Sequence, residues 1–389
     1  MSLSVSIISS FSPSGMLSND EFSDLAKVVA ETFPNQKLDL DAYFFMEGDI
    51  RYLLKGSGSE ERLPALHFLG NAIDEKLEEI VQCVLRSSGS RAPVALTSFL
   101  PEISQYVHRE AEQRIVSAIV GLFKLAVQIG MSSGQTPVVQ MVAGNMLDRV
   151  DRRKKSSKTN QKNNGQELKQ KPQRNRFYIV EADENASYEM VLRRLSECFE
   201  ILHREFEGQT KKLIALEQLR IAFELEPGPL YLLDGPMSVV RFCHLIEQHP
   251  DPLIQKHVGF NLDVAHWWLK NIKPEFLDRP LDYLAAEIPS SKGDPIFQKA
   301  PPSIRDRIFH SHISGHSRRA HFGDISLTML SKNDRDSYLQ WLSALDALSE
   351  DEDTDFSGYV SLEFEAARSR TCVVDSICEL FRMVDEVTN

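Results

Sequence analysis

Eight short apolar or alternating segments recur along the chain. They lie at 4–10 (SVSIISS), 37–45 (KLDLDAYFF), 93–99 (PVALTSF), 137–143 (PVVQMVA), 220–226 (RIAFELE), 258–263 (VGFNLD), 307–314 (RIFHSHIS) and 359–365 (YVSLEFE). Their length and apolar character are those of strands buried on both faces, as in parallel sheets. Helical periodicity fills the intervals, as in NDEFSDLAKVVAETF, SYEMVLRRLSECFEILHREF, RDSYLQWLSALDAL and CVVDSICELFRMVDEV. Strands that alternate with helices require crossover connections, and eight such units predict an α/β chain folded as a (β/α)8 TIM barrel. At 389 residues the chain exceeds the ~250 of a plain barrel, so insertions are expected in what is read as one domain over 1–389.

One insertion stands out by charge. Between Arg149 and Arg176 there are eleven Lys/Arg against two acids, whereas the rest of the chain has 33 basic and 54 acidic residues, a net of −21. The stretch 148–177 is read as a basic, low-complexity insertion with too few apolar residues to pack. As an interaction element, the 149–176 loop would suit an acidic partner. The acidic body argues against binding nucleic acid phosphates, so no DNA partner is expected. The sequence has no continuous apolar run of roughly 18 residues, so no membrane span is expected. Five scattered cysteines without zinc-finger spacing imply no disulfide framework and fit a reducing cytoplasm.

Barrel active sites form at the carboxyl ends of the strands, and four successive strand ends here carry residue types that bind metals. The fifth has Glu224 and Glu226 on one face. The sixth ends at Asp263, with His266 one turn on. The seventh carries His310 and His312 and runs into His316, Arg318, His321 and Asp324. The eighth has Glu363 and Glu365 two apart. Carboxylates facing a barrel interior are costly unless a cation or hydrogen bonds compensate them. Carboxylate and imidazole together suit Mn²⁺, Co²⁺, Zn²⁺, Fe²⁺ or Mg²⁺ better than a thiol-seeking ion. The adjacent Trp267 and Trp268 could line a pocket, form an oligomer interface or pack internally. His310 is expected behind the metal-facing residues, and His316 is expected to be exposed.

These residues resemble the xylose-isomerase-like TIM-barrel superfamily of sugar phosphate isomerases and epimerases, which also includes the AP endonuclease family 2 type. The pattern is most similar to that of the ketose 3-epimerases: Glu226-Pro227 after the fifth strand, Leu262-Asp263-x-x-His266, His312 followed by Arg318, and Gly358 before Glu363. The resemblance implies one divalent metal held by Glu226, Asp263, His312 and Glu363. It implies substrate contacts from His266 and Arg318, and an acid/base pair of Glu226 and Glu363. His321 and Asp324 stand where the chain departs from that family and could be additional ligands; for His321 a role toward the substrate or behind the ligands is expected. The implied activity is isomerisation or epimerisation of a sugar or related polyol through an enediolate. Two departures bear on the substrate. GPLYLL follows Glu226-Pro227 where that family has a further substrate-binding Glu, and AHFGD replaces a Pro-Gly-x-Gly turn after Arg318 and Arg319. The second to fourth strands lack the histidines of the three-zinc nucleases. A lyase or hydrolase on the same metal site, or a non-catalytic barrel that binds or passes on a metabolite, would use the same parts.

Overall fold

The eight apolar segments pair in sequence order and close on themselves. The structure, a computed structural model, describes residues 3–9, 19–44, 65–88, 91–104, 109–144, 147–150, 178–181, 184–228, 231–287, 303–317, 322–363 and 370–388. The barrel strands are β1 (Ser4–Ile8), β2 (Leu38–Phe44), β3 (Ala95–Ser98), β4 (Val138–Val142), β5 (Ile221–Glu224), β6 (Val258–Asp263), β7 (Ile308–Ile313) and β8 (Tyr359–Leu362). Each pairs in parallel with the next, and β8 returns to β1 in a register running from Ser4 opposite Tyr359 to Ile7 opposite Leu362. This is the (β/α)8 architecture expected from the alternation.

Crossovers are helical: α1 (Asn19–Thr32), α2 (Ala65–Ser87), α3 (Arg109–Ser133), α4 (Glu184–Glu205), α5 (Thr210–Gln218), α6 (Pro236–Glu247), α7 (Pro252–His257), α8 (Val264–Leu269), α9 (Glu275–Asp278), α10 (Pro280–Glu287), α11 (Lys332–Ser349) and α12 (Arg370–Thr388). Alternation sorts each strand into two faces. In β4, Val139 and Met141 join the core beneath the helices, while Gln140 turns to the barrel interior and reaches Glu224. In β8, Val360 and Leu362 pack outward and Ser361 inward. Phe309 packs with Val94, Ala95, Val138 and Ala222 in a small separate cluster. All five stand at or just before the first residues of their strands, so the cluster floors the amino end of the barrel.

α3 is long and apolar enough to cross a membrane by length and composition, but 78% of its apolar window is buried within the protein. Its first turn takes part in a partly buried ion pair. Arg194 of α4, fully shielded, donates Nε to Glu112 Oε1 at 3.0 Å and Nη1 to the Glu102 carbonyl at 2.9 Å. These bonds tie α4 to α3 and to the turn after β3.

Two antiparallel ribbons follow barrel strands in the chain, Leu147–Val150 with Tyr178–Glu181 after β4, and Gly315–Ser317 with Phe322–Ile325 after β7. Of the basic insertion read at 148–177, residues 151–177 lie outside the described residues.

Candidate functional site

The barrel interior is polar from β2 round to β8. Asp41, Thr97, Gln140, Glu224, Asn261, His310, His312 and Ser361 are all buried there. What places the two histidines is a register shift. Phe260 stands opposite Ile308, but the next residue, Asn261, stands opposite His310, so Phe309 is an extra residue on β7. A bulge of this kind re-aims the residues beyond it. Here it sets His312 beside Asp263 at the carboxyl end of β6.

Glu224, Asp263, His312 and Glu363 each offer one ligand atom to a group whose members lie within 4.8 Å of one another. His312 Nδ1 is 3.3 Å from Glu363 Oε2 and 3.7 Å from Glu224 Oε2. Asp263 divides its carboxylate, Oδ1 accepting the His266 backbone N–H at 2.7 Å to cap α8 while Oδ2 stays free. Glu363 is fixed by its backbone N–H, which donates to the Ile313 carbonyl at 2.9 Å and carries the β7–β8 pairing one residue further.

These donors fit a divalent cation on a direct test. Glu224 Oε1, Asp263 Oδ2 and His312 Nδ1 are buried and make no hydrogen bond. Buried polar atoms are normally satisfied, and each orphan costs about 1–3 kcal/mol. Three orphans that converge from three adjacent strands, with Glu363 as a third carboxylate beside them, form a ligand set of hard oxygen donors and one imidazole.

Electrostatics point the same way. Burial pushes the Glu224 carboxyl up, against the contact with His266 and with the Glu363 charge adding to it. Burial likewise pushes Glu226 up to about 8, only partly offset by the charge of His266. For His312, burial favours the neutral ring. The hydrogen bond to Asp41 and the carboxylates around Nδ1 outweigh it and hold the ring well above its ordinary value. His266 is raised in the same way, burial being outweighed by Asp263, Glu226 and Glu224.

Of the residues picked from sequence, Asp263, His312 and Glu363 come together in one group, with Glu224 as its fourth member. Glu226 stands instead with Glu224 and His266 in an adjoining group. His266 Nδ1 lies 3.0 Å from the Leu225 carbonyl, 3.3 Å from Glu224 Oε1 and 3.9 Å from Glu226 Oε2. Arg318, His321 and Glu365 lie outside the described residues; Asp324 falls in the ribbon strand Phe322–Ile325. His310 is fully buried and bonded to Asp41, Ser361 and Ser357. His316, expected to be exposed, is buried with its ring edge-on to Trp268 at 6.1 Å, because the ribbon folds it against α8. Trp267 packs against Phe276 and Trp341 and Trp268 against Tyr338, so both are internal. Sequence reading passed over Asp41. Its signal was an acid on the second face of a strand whose other face, Leu38, Leu40 and Ala42, is apolar.

No family model matches the sequence, and no curated protein does. The fold does find relatives. A protein of Anabaena variabilis described as a sugar phosphate isomerase/epimerase superposes over 100% of both chains with a TM-score of 0.51 at 13% identity. A xylose isomerase domain protein of Alicyclobacillus acidocaldarius covers 99% of both chains, with a TM-score of 0.50 at 11% identity. The chain shares its (β/α)8 barrel fold with these proteins. In this barrel the four-residue group stands at the carboxyl ends of β5 to β8, the end at which such barrels build their sites.

Proposed function

We propose that the protein is a metal-dependent isomerase or epimerase of a sugar or related polyol. The observation that carries this reading is the convergence of three unsatisfied buried donors, Glu224 Oε1, Asp263 Oδ2 and His312 Nδ1, at one end of the barrel. Fold-level likeness to a described sugar phosphate isomerase/epimerase supports the substrate class. Glu224, Asp263, His312 and Glu363 would hold one divalent ion, with Glu224 in the place first given to Glu226. Such an ion, when bound, polarises a substrate carbonyl and acidifies the neighbouring C–H.

The chain supplies the proton traffic. Glu363 is partly exposed at the edge of the cluster, so it is the group assigned to remove the proton. Glu226 keeps its own proton to about pH 8 and is the group assigned to return one. His266, held between Glu224, Glu226 and the Leu225 carbonyl, offers a charged donor to a substrate oxygen. Arg318 and His321 keep their assigned substrate-side roles as part of this proposal, as does the 149–176 loop its acidic partner.

The test is direct. Metal analysis of the purified protein should find about one equivalent of Mn, Co, Zn, Fe or Mg. Incubation with a panel of ketoses in deuterated water should place deuterium on carbon beside the carbonyl. Bound metal with no exchange from any sugar would reassign the site to hydrolysis, elimination or simple ligand binding.

A further inference from the structure

Asp41 takes no part in the four-residue ligand set, although it is as completely enclosed by the barrel as Asp263. It sits on β2, three strands round from β7, with no exposed surface. An ionised carboxylate in such a place persists only among compensating donors. Three reach it. Thr97 Oγ1 donates to Oδ1 at 2.8 Å, and Nε2 of both His310 and His312 meets Oδ2 at 3.2 Å. A carboxylate without a proton can only accept, so both rings present an N–H at Nε2.

For His312 this fixes the other end of the ring. With the proton at Nε2, the lone pair of the neutral imidazole is at Nδ1, the atom that faces Glu224 and Glu363 and lacks a hydrogen bond. The opposite tautomer would turn an N–H toward the ligand set and could not coordinate. His310 completes the arrangement from behind. Its Nδ1 is 3.0 Å from Ser357 Oγ, and its Nε2 also lies 3.0 Å from Ser361 Oγ, which is 2.6 Å from Ser6 Oγ. Asp41 is thereby held by β3 and β7 together, and its direction is not free to vary.

We propose that Asp41 is a positioning residue that selects the tautomer and orientation of His312 needed for coordination through Nδ1. The inference rests on the metal reading of the site. Imidazole ligands commonly donate their second N–H to a carboxylate, and loss of that partner typically weakens metal binding by about 10- to 100-fold.

The experiment titrates Mn²⁺ into chelator-stripped full-length wild type, Asp41→Asn and Thr97→Val by calorimetry, with circular dichroism and denaturant unfolding on each. Asp41→Asn is expected to fold and to bind about 10- to 100-fold more weakly. A purely structural role would lower the unfolding midpoint and leave the affinity of the folded protein unchanged, and that result overturns the inference alone. A wild type that binds no Mn²⁺ overturns the metal reading and the inference with it. If Asp41→Asn does not fold, Thr97→Val decides: several-fold weaker binding supports the role of the Asp41 carboxylate, and unchanged affinity overturns it.

Discussion

Glu224 and Glu226 are separated by one residue and differ in what they face. Glu224 ends β5 and turns inward to Gln140, Asp263 and His312, whereas Glu226 lies beyond the strand, its backbone N–H bonded to the Leu233 carbonyl. The two should separate in mutagenesis. Glu224→Gln removes a ligand and is expected to weaken Mn²⁺ binding by at least about 100-fold, more than loss of a supporting partner would. Glu226→Gln should keep near-normal metal affinity and lose turnover, read as kcat falling against an unchanged Mn²⁺ Kd. Metal binding must also displace protons from a cluster in which burial has raised Glu224 and in which the carboxylates keep His312 protonated. Affinity should therefore rise with pH, and calorimetry in buffers of different ionisation enthalpy should report proton release. The residue types at the four strand ends were legible in the sequence, and so were three of the four side chains that group there, Asp263, His312 and Glu363. The choice between Glu224 and Glu226 was not. The Glu-Pro motif draws attention to Glu226, but β5 stops at Glu224, so alternation counted to residue 226 runs past the sheet.

The bulge in β7 is the element on which the site depends. It coincides with a close approach of β6 and β7 at Gly259, where an added Cβ would overlap the Arg307 carbonyl oxygen and come within 2.6 Å of the Phe309 ring. The first of these atoms is backbone and cannot swing aside. Gly259→Ala should push β7 away and shift His310 and His312 out of line with Asn261 and Asp263. An overpacked site of this kind costs about 1–3 kcal/mol. The expected outcome is a lower denaturant midpoint together with weaker Mn²⁺ binding. A lowered midpoint with wild-type affinity would show that the bulge survives the substitution. Nothing in VGFNLD or RIFHSHIS announces this extra residue, because a register shift is a property of two strands, and each segment alone reads as regular alternation. β2 shows the opposite case. Its alternation was visible in KLDLDAYFF, yet the importance of Asp41 arises only when closure brings β2 and β7 within hydrogen-bonding distance across the interior.

At the scale of the whole molecule, a closed barrel concentrates charge that a flatter sheet would leave in water, and folding stability then depends on what neutralises it. Eight alternating units specified the closure, since parallel strands with helical crossovers have few other ways to bury both faces. The consequence for pH follows from the shifted carboxyls. Burial raises Glu226 from about 4.5 in the unfolded chain to about 8 in the fold, so between those values the native state holds a proton that the unfolded state has released. Stability from this group is present below the unfolded value and is lost as pH rises through about 8, with a slope of at most about 1.4 kcal/mol per pH unit. Asp41 works on the other side. Burial would raise it, but the bonds from His310 and His312 hold it well below the usual range, and its contribution is lost only in strong acid. The chelator-treated protein should thus unfold at progressively lower temperature from about pH 6 to about pH 8, and Glu226→Gln should flatten that decline. Saturating Mn²⁺ should raise the midpoint across the range, since a ligand at 100 times its Kd adds about 2.7 kcal/mol. The gain should be larger at the alkaline end, where the cation meets carboxylates already ionised. Equal midpoints with and without Mn²⁺ would mean that the four converging side chains are stabilised by one another's protons, and the cation would have no place in the fold.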